Sequence, residues 1–467
     1  MVAQQAAADW AKEEFGHAQL GNKLRTARLV KMATRVANGP AGLVTRVFRT
    51  ARERVGAYRF VENAAICVER MVASSALATI RRAQDGWVFV PVDGSSLTLA
   101  DPKLRRGLGS VGSYLKKGRG LKVMSSIGVS PDGTPLGLLD LLWWTRETVP
   151  ERKETRTKRR IDQKETRYWL QVIQRVRDAF AKAKTLAVPW FQLDREGDFR
   201  EMLESIANMA DCRVTVRAAS NRKLATGEVG YLWDDLLRQA PGGTYSLPVA
   251  SGPQRQARTA RMTVRWARVT LQLRNQRHSS RDPRTSVTLW AVLALESGTT
   301  PPNESPLQWM MLTNAAITDH YEACEVIYGY SLRWRIEEFH RAWKSQCDVE
   351  ASQLHQVNPI QRWATLLAAA AMRIERLKHL GRNEPESPAT VEFSREEIDA
   401  IIVLRQPKGV TQGETPSIGQ AVRWVADLGG YIGPSNGPPG ATVLGRGLQQ
   451  VETAAIVLSN LNRPKPA

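Results

Sequence analysis

The sequence has few cysteines and histidines, and neither set shows a spacing that is typical of a metal site. Its four cysteines, Cys67, Cys212, Cys324 and Cys347, lie far apart in a chain of 467 residues and form no Cys-X-X-Cys pair. The six histidines show no ligand spacing either. We therefore expect neither a disulfide framework nor a zinc site, and we predict buried thiols in a reducing compartment.

Long hydrophobic runs are also absent from the sequence. No stretch of 18 apolar residues occurs, and residues 1–21 mix alanine with aspartate, lysine and glutamate. Neither a membrane-spanning helix nor a signal peptide is predicted, so we expect a cytoplasmic protein that binds no membrane. The hydrophobic fraction of 42% is ordinary for a globular chain, and at roughly 150 residues per domain the length suggests about three domains.

Acidic residues are outnumbered by basic ones. Lysine and arginine total 66 against 46 aspartates and glutamates, which gives a net charge of +20. A chain this basic attracts polyanions, and nucleic acid is the first candidate, with a ribosome-associated or simply basic soluble protein as the alternative. Residues 18–39 predict an amphipathic helix with a cationic face, on which Arg25 and Arg28 are candidate DNA contacts. The alternative is a solvated surface helix.

The order of predicted elements from Gly86 onward is β-β-β-α-β-α-β. The strands are WVFVPVDGSSLTL, LKVMSSIGVS, PLGLLDLLWWT, TLAVPWFQL and CRVTVRA, and the helices cover about 146–186 and 198–209. This is the order of an RNase H-like core, whose sheet carries acidic residues near the ends of its first and fourth strands. Asp93 and Asp194 fall at those places.

These patterns predict an α/β fold with three domains. We expect a helical N-terminal domain at 1–72 and a mainly helical C-terminal domain at 376–467. Between them, residues 73–375 are predicted to form the RNase H-like catalytic domain, a mixed sheet flanked by helices. Alternating patterns such as RMTVRWARVTLQL predict a β-rich insertion in it at about 215–310. The last 60 residues give little indication of their role.

The most informative segment is YSLRWRIEEFHRAWK, which runs from Tyr330 to Lys344. At about 100° per residue, a helix places Tyr330, Arg333, Glu337 and Lys344 on one stripe about 60° wide. Glu338 lies about 100° round from Glu337 and is off that stripe. A carboxylate between an arginine and a lysine is also what an ordinary salt-bridged surface helix shows.

The opposite face of this predicted helix is apolar and consists of Leu332, Ile336, Phe339 and Trp343. We expect that face to pack on the core and anchor the helix. The other face would then present Glu337 to a ligand. His340 lies next to the polar stripe, and we consider it as a phosphate contact.

Glu337 and the two strand aspartates make a set of three carboxylates. Cleavage of a phosphodiester needs an activated water and a stabilised leaving oxygen, and two metal ions about 3.5–4 Å apart serve both tasks. Mg²⁺ prefers carboxylate oxygens and water, so three carboxylates can hold such a pair if one of them bridges both ions. Cations beside the carboxylates would bind flanking phosphates.

These residues resemble the DDE transposases of bacterial insertion sequences, within the insertion-sequence four family and close to the branch of the transposon-five transposase. The hallmark of that branch is Tyr-X2-Arg-X3-Glu-X6-Lys, and Tyr330, Arg333, Glu337 and Lys344 match it without a gap. VPVDGSS, at the first aspartate, and DREGDF, at the second, look like its aspartate motifs. FGHAQLGNKLRTARLVKMA looks like its domain for transposon-end recognition.

The resemblance implies cut-and-paste transposition, in which the transposon ends are cleaved, hairpins form and reopen, and the strands are joined to target DNA. It implies that Asp93, Asp194 and Glu337 are the catalytic residues and bind two Mg²⁺ ions, with Mn²⁺ as a substitute. Double-stranded DNA is the implied partner, and the C-terminal domain is implied to form a homodimer in the DNA complex. The expected location is the nucleoid in a bacterial cytoplasm.

Further DNA contacts follow from the resemblance and from position. Trp309, in PLQWMMLT, looks like a tryptophan that stacks on a flipped base, with core packing as the alternative. Arg217, in VTVRAASNRK, looks like an arginine that contacts DNA near the active site. Lys116, Lys117 and Arg119 lie in a glycine-rich loop that could follow phosphates, with a solvated hairpin loop as the alternative.

The sequence departs from the family at Gly94, where the relatives carry a small hydroxyl residue. Glycine adds backbone freedom next to a predicted ligand, but no carboxylate is missing. Two other functions stay open. A non-catalytic DNA-binding regulator would not need the acidic trio, and an RNase H-like nuclease would not need the Tyr330 stripe or Trp309. The end sequence, the target preference and the oligomeric state without DNA are not indicated.

Overall fold

The computed structural model describes residues 5–112, 118–147, 160–225, 230–252, 255–273 and 285–461. Five helices come before the sheet in this part of the chain. They are α1 (Gln5–Phe15), α2 (Lys23–Asn38), α3 (Val44–Val47), α4 (Ala51–Val61) and α5 (Val68–Arg81). Helix α2 is the predicted cationic helix. It begins at Lys23 rather than at residue 18, because the Asn22 side chain caps its first turn by accepting a hydrogen bond from the Leu24 backbone N–H.

A ten-stranded sheet forms the centre of the molecule. Its strands are β1 (Gly86–Thr98), β2 (Gly109–Ser110), β3 (Arg119–Val129), β4 (Pro135–Trp144), β5 (Ala187–Leu193), β6 (Arg213–Arg217), β7 (Gly243–Val249), β8 (Arg258–Leu273), β9 (Thr285–Ser297) and β10 (Gln308–Thr313). The core order is β4-β3-β1-β5-β6, and the short β2 also pairs with β3. Strands β1, β5 and β6 are parallel, and β3 and β4 are antiparallel to their neighbours.

The predicted insertion is present, but it continues the core sheet. Strand β10 pairs antiparallel with β6 on one side and with β9 on the other, and β8 and β7 follow. The alternating burial of β8 reflects its position in this extended sheet. The strands of the insertion therefore share one hydrogen-bonded framework with the strands that carry the aspartates.

Nine α-helices follow β4 in the described residues. They are α6 (Arg167–Ala183), α7 (Arg200–Ala207), α8 (Leu232–Arg238), α9 (His320–Ser331), α10 (Trp334–Arg341), α11 (Val357–Asn383), α12 (Arg395–Arg405), α13 (Ile418–Leu428) and α14 (Ala441–Leu461). Strand β1 packs on two apolar clusters, with Phe89 in one and Val88 and Val90 in the other. Because successive strand residues point to opposite faces, both faces of the sheet are covered. The strand order and the covered faces confirm the RNase H-like α/β core.

Helix α11 connects the N-terminal helices with the C-terminal ones. Arg362 is buried and donates hydrogen bonds to the carbonyl oxygens of Ile66 (2.8 Å) and Val61 (2.7 Å). Trp363 donates from its indole N–H to the carbonyl of Gly42 at 2.8 Å. The distal part of α11 packs with α12, α13 and α14 in a separate apolar cluster. In the described residues we find no helix that is long and apolar enough to cross a membrane.

Candidate active site

The two aspartates occupy equivalent positions on neighbouring parallel strands. The last pair between β1 and β5 joins Pro91 and Gln192, and each aspartate follows that pair by two residues. Asp194 comes directly after β5, where its Oδ1 accepts a hydrogen bond from the Glu196 backbone N–H at 2.8 Å. Asp93 does not end its strand as predicted, because β1 continues to Thr98 by pairing with β3 alone. It lies where the parallel pairing stops.

Arg333 connects the helix carboxylate to the first strand aspartate. Its Nη1 lies 3.6 Å from Asp93 Oδ2, and its Nη2 lies 2.5 Å from Glu337 Oε1. Burial raises the pKa of Asp93, Arg333 opposes that shift and the negative charges of Asp194 and Glu337 add to it, so that the pKa lies at about 6. Three carboxylates therefore influence one another here, and the guanidinium of Arg333 pairs with two of them, Asp93 and Glu337.

This donor set fits a divalent metal ion. Carboxylate oxygens are the ligands that hard cations such as Mg²⁺ prefer. Burial and, to a smaller extent, the negative charges of Asp194 and Glu337 disfavour the ionised form of Asp93, and a bound cation would favour it. Even with the Arg333 guanidinium, the trio of Asp93, Asp194 and Glu337 thus has the donor chemistry and the excess of negative charge that such an ion needs.

The segment Tyr330–Lys344 is not the continuous α-helix that we predicted. Helix α9 ends at Ser331 and α10 begins at Trp334, because the backbone between them forms hydrogen bonds over three residues, such as Arg333 N to the Tyr330 carbonyl at 3.0 Å. After α10 the chain forms a π-helical turn at Ala342–Gln346, which carries Lys344. The Cys347 N–H closes this turn on the Ala342 carbonyl at 3.0 Å.

The break changes the environment of Tyr330, which is buried and does not lie on an exposed polar stripe. Its ring packs edge-on against Trp309, with ring centroids 6.3 Å apart. Trp309 is half-buried in β10, and Arg217 reaches the same strand by donating to the Gln308 carbonyl at 3.2 Å. Trp309 therefore contacts Tyr330, and Arg217 contacts the backbone of the residue before Trp309. Leu332, Ile336, Phe339 and Trp343 are buried as expected.

Glu338 faces away from the trio and toward α11. Its carboxylate accepts from Arg335 Nη1 (3.1 Å) and His379 Nε2 (3.1 Å), and Lys378 Nζ lies 3.3 Å from it. Burial alone would raise the pKa of Glu338, but the His379 hydrogen bond and the charges of Lys378 and Arg335 lower it to about 2. Glu337, not Glu338, is thus the residue that lies beside Asp93.

Among the described residues, Glu338, Glu375 and His379 bring their ligand atoms within 4.8 Å of one another, as a metal site would, whereas the ligand atoms of Asp93, Asp194 and Glu337 do not all lie that close. The ammonium of Lys378, however, contacts both carboxylates and supplies the positive charge that an ion would bring. We therefore interpret this cluster as an ion-pair network between α10 and α11, separate from the trio.

His340 is buried, which does not fit the phosphate contact that we considered. Its Nε2 lies 3.1 Å from the Ser125 hydroxyl, which is buried within the sheet. Burial and, to a smaller extent, the charges of Lys344 and Arg333 lower the pKa of His340 to about 3. The ring is therefore neutral and its polar contact is made inside the protein.

The other candidate DNA contacts differ in their surroundings. Lys344 is half-buried near Lys122, whose pKa is lowered by burial and, in addition, by the charges of Arg146 and Lys344. Arg119 is half-buried at the start of β3. On α2, Arg28 is exposed, whereas the half-buried Arg25 donates to the Leu20 carbonyl at 3.1 Å. Lys116 and Lys117 lie outside the described residues.

Three family models match the chain. Residues 7–66 match a transposase DNA-binding family, residues 194–373 match a transposase DDE domain, and residues 369–460 match a transposase Tn5 dimerisation domain. The DDE match begins at Asp194 and includes Glu337, while Asp93 lies before it. The first aspartate is therefore supported by its place in the sheet and its contact with Arg333.

Proposed function

The chain belongs to the Tn5-like DDE transposases of the insertion-sequence four family, and from that premise we propose that it carries out cut-and-paste transposition with Asp93, Asp194 and Glu337 as its catalytic residues. A DDE domain implies a DNA-cleaving and strand-joining enzyme that uses a divalent metal. The observation that supports this trio is that Arg333 forms ion pairs with both Asp93 and Glu337. Asp194 follows the last residue pair between β1 and β5 by two residues, as Asp93 does.

In this proposal the three carboxylates hold two Mg²⁺ ions, for which Mn²⁺ can substitute. The bound ions would activate water and stabilise the leaving oxygen of the phosphodiester. Asp93 lies in a paired strand and Asp194 directly follows the neighbouring one, so the sheet limits how far the two can move relative to each other. Glu337 approaches from α10, and Arg333 keeps its carboxylate turned toward Asp93.

The DNA-binding and dimerisation matches indicate a DNA partner and a dimer. We propose that α2 contacts the inverted repeats at the transposon ends through Arg25 and Arg28, and that a homodimer brings two ends together. Lys344, Arg119, Lys116 and Lys117 would bind phosphates near the cut. A protein with this function would act at the nucleoid.

The proposed reaction proceeds through a hairpin at each transposon end. The 3′-hydroxyl that the first cut releases attacks the opposite strand, and a base leaves the strained turn. Trp309 would stack on that base, with Tyr330 packed against its edge and Arg217 on the neighbouring backbone. The indole of Trp309 is only half-buried, so part of the ring remains accessible to a base while Tyr330 packs against it.

This pathway is tested by following end cleavage on denaturing gels with wild-type, Trp309→Ala and Trp309→Phe proteins. We expect wild type to give nicked ends, hairpins and joined products in Mg²⁺. Because stacking on an aromatic ring contributes about 1–3 kcal/mol per base, Trp309→Ala should form hairpins about tenfold more slowly and accumulate nicked ends. Trp309→Phe should recover most of the rate. Hydrolysis by wild type without hairpins or strand joining would instead indicate an RNase H-like nuclease.

The phosphate role of Lys344 predicts a change in salt dependence. Loss of one phosphate contact should make the slope of log affinity against log salt less negative by about 0.9, so Lys344→Ala should weaken end binding at low salt most. The measurement is end-DNA binding by fluorescence anisotropy between low and moderate salt. Lys182→Ala is the matched control. This exposed lysine lies in the last turn of α6, which leads into the start of β5, and Asp194 follows the other end of that strand. Equal slopes for both variants would remove Lys344 from the phosphate contacts.

A further inference from the structure

Ser125 is the residue of β3 that lies directly opposite Asp93 in β1. Residues opposite each other in an antiparallel pair point to the same face of the sheet, so the Ser125 hydroxyl and the Asp93 carboxylate face the same helix, α10. Ser125 is fully buried. Its hydroxyl therefore cannot contact solvent or DNA, and it needs a partner inside the protein.

That partner is His340, which lies three residues after Glu337 in α10. Residues three apart lie on neighbouring parts of a helix surface, so the side of α10 that presents Glu337 also presents His340 to the sheet. The imidazole is neutral, so one ring nitrogen carries hydrogen and the other accepts. The link between His340 and Ser125 consequently does not depend on the charge of the neighbouring carboxylates.

Arg333, which directly precedes α10, links this helix to β1 by its ion pairs with Asp93 and Glu337. A metal ion on those carboxylates would compete with the guanidinium for the same oxygens, so this link changes when the ion binds. The His340 hydrogen bond uses neither carboxylate. It can hold α10 against the sheet in the free and in the metal-bound protein.

We propose that His340 is a positioning residue, whose hydrogen bond to Ser125 sets the separation of Glu337 from Asp93 and thereby the affinity of the trio for a divalent metal. This inference rests on the proposed function, because it needs those two carboxylates to be ligands. Partners that orient metal ligands through a hydrogen bond change metal affinity by about 10–100-fold when removed. We expect an effect at the lower end, because His340 acts through the backbone of α10.

The test compares His340→Leu, His340→Gln and Ser125→Ala with wild type. A glutamine amide reaches about as far as Nε2 and keeps the hydrogen bond, whereas leucine fills the space without a polar atom. Mn²⁺ binding to the DNA-free protein, followed by electron paramagnetic resonance, gives a dissociation constant that does not depend on activity. We expect it to rise about tenfold in His340→Leu and Ser125→Ala, and to stay within about threefold of wild type in His340→Gln.

A double-mutant comparison separates positioning from general damage. If the two side chains act through one hydrogen bond, His340→Leu combined with Ser125→Ala should bind Mn²⁺ no more weakly than either single variant. The Mg²⁺ concentration for half-maximal cleavage should rise in parallel, with end-DNA binding unchanged. Additive effects, or a wild-type Mn²⁺ affinity in His340→Leu, would overturn the proposal. If His340→Leu does not fold, Ser125→Ala and His340→Gln test the proposal in its place. An Mn²⁺ affinity of Ser125→Ala equal to that of wild type would then overturn it.

Asp93→Asn distinguishes failure of this inference from failure of the proposed function. It should lose Mn²⁺ binding in any case where Asp93 is a ligand. If Asp93→Asn binds Mn²⁺ as wild type does, the ligand assignment itself is wrong. If Asp93→Asn loses Mn²⁺ while His340→Leu keeps it, the trio stands and only the role of His340 is rejected.

Discussion

Glu337→Gln is expected to lose metal-dependent cleavage of transposon-end DNA by at least about 1,000-fold, while its affinity for the same DNA changes less than about threefold. We expect a loss of this size because Glu337 would act as part of a catalytic unit, and single substitutions in such units reduce the rate by roughly 10⁴–10⁶-fold. Glutamine keeps the volume of the side chain and can accept one hydrogen bond from Arg333, so the fold should be retained. Single-turnover cleavage and anisotropy with one labelled end would measure the two quantities.

The adjacent glutamate provides the matched control. Glu338→Gln removes one charge from the buried cluster with Arg335, Lys378 and His379, so it should lower the free energy of unfolding by about 1–3 kcal/mol. Below its unfolding temperature it should still cut DNA within about tenfold of wild type. The opposite pattern, with Glu337→Gln active and Glu338→Gln inactive, would show that the wrong face of α10 has been assigned to the metal.

Gly329→Ala is expected to be less stable than wild type and impaired in cleavage. A Cβ on Gly329 would lie 2.8 Å from Phe89 Cδ1, closer still to Phe89 Cε1, and 3.1 Å from Gln192 Nε2. Phe89 and Gln192 are fully buried on β1 and β5 and cannot move aside, so α9 must shift away from the strands. Overpacking of this kind costs about 1–3 kcal/mol. Denaturant unfolding would give the stability loss, and single-turnover cleavage the loss in rate.

The activity loss in Gly329→Ala should exceed what its stability predicts, because α9 leads directly through Tyr330 to Arg333 and Glu337. Gly445→Ala is the control for the substitution itself. Gly445 lies in α14, and its added Cβ would be an ordinary 3.7 Å from Ile374 Cδ1. Alanine is favoured over glycine in a helix by about 0.8–1 kcal/mol, so this variant should gain stability. Full cleavage by a well-folded Gly329→Ala protein would show that the approach of α9 is not critical for the site.

The element order of the core was predictable from sequence because it depends on local periodicity. Apolar runs and turn residues predicted β1, β3, β4, β5 and β6 and the helices between them, and all of these are present. The pairing of β10 with β6 was not predictable, because it joins Arg217 to Met311 across the whole insertion. Single-sequence patterns carry no information about such distant partners, so the sequence predicted a β-rich insertion within the core but not which core strand it pairs with.

The site was predictable to the level of which carboxylates face one another. The angular positions of Glu337 and Glu338 on a helix are enough to show that they face different sides. The structure links only Glu337 to Asp93, through Arg333. The helical phase did not predict the burial of Tyr330, because the tight turn after Ser331 interrupts the helix. It also did not reveal the contact of His340 with Ser125, since the sequence does not show which residue of β3 lies opposite Asp93.

The π-helical turn at Ala342–Gln346 constrains how this segment can change in evolution. A π turn holds about one residue more than an α turn, because its hydrogen bonds join residues five apart rather than four. Deleting Ala342 or Trp343 would favour α-helical hydrogen bonding, but it would also place Lys344 six residues after Glu337 instead of seven, on a different face of the helix. The seven-residue interval between these two side chains is therefore fixed by the backbone as well as by the ligand. Homologues should tolerate substitutions in the turn far more readily than gaps in it.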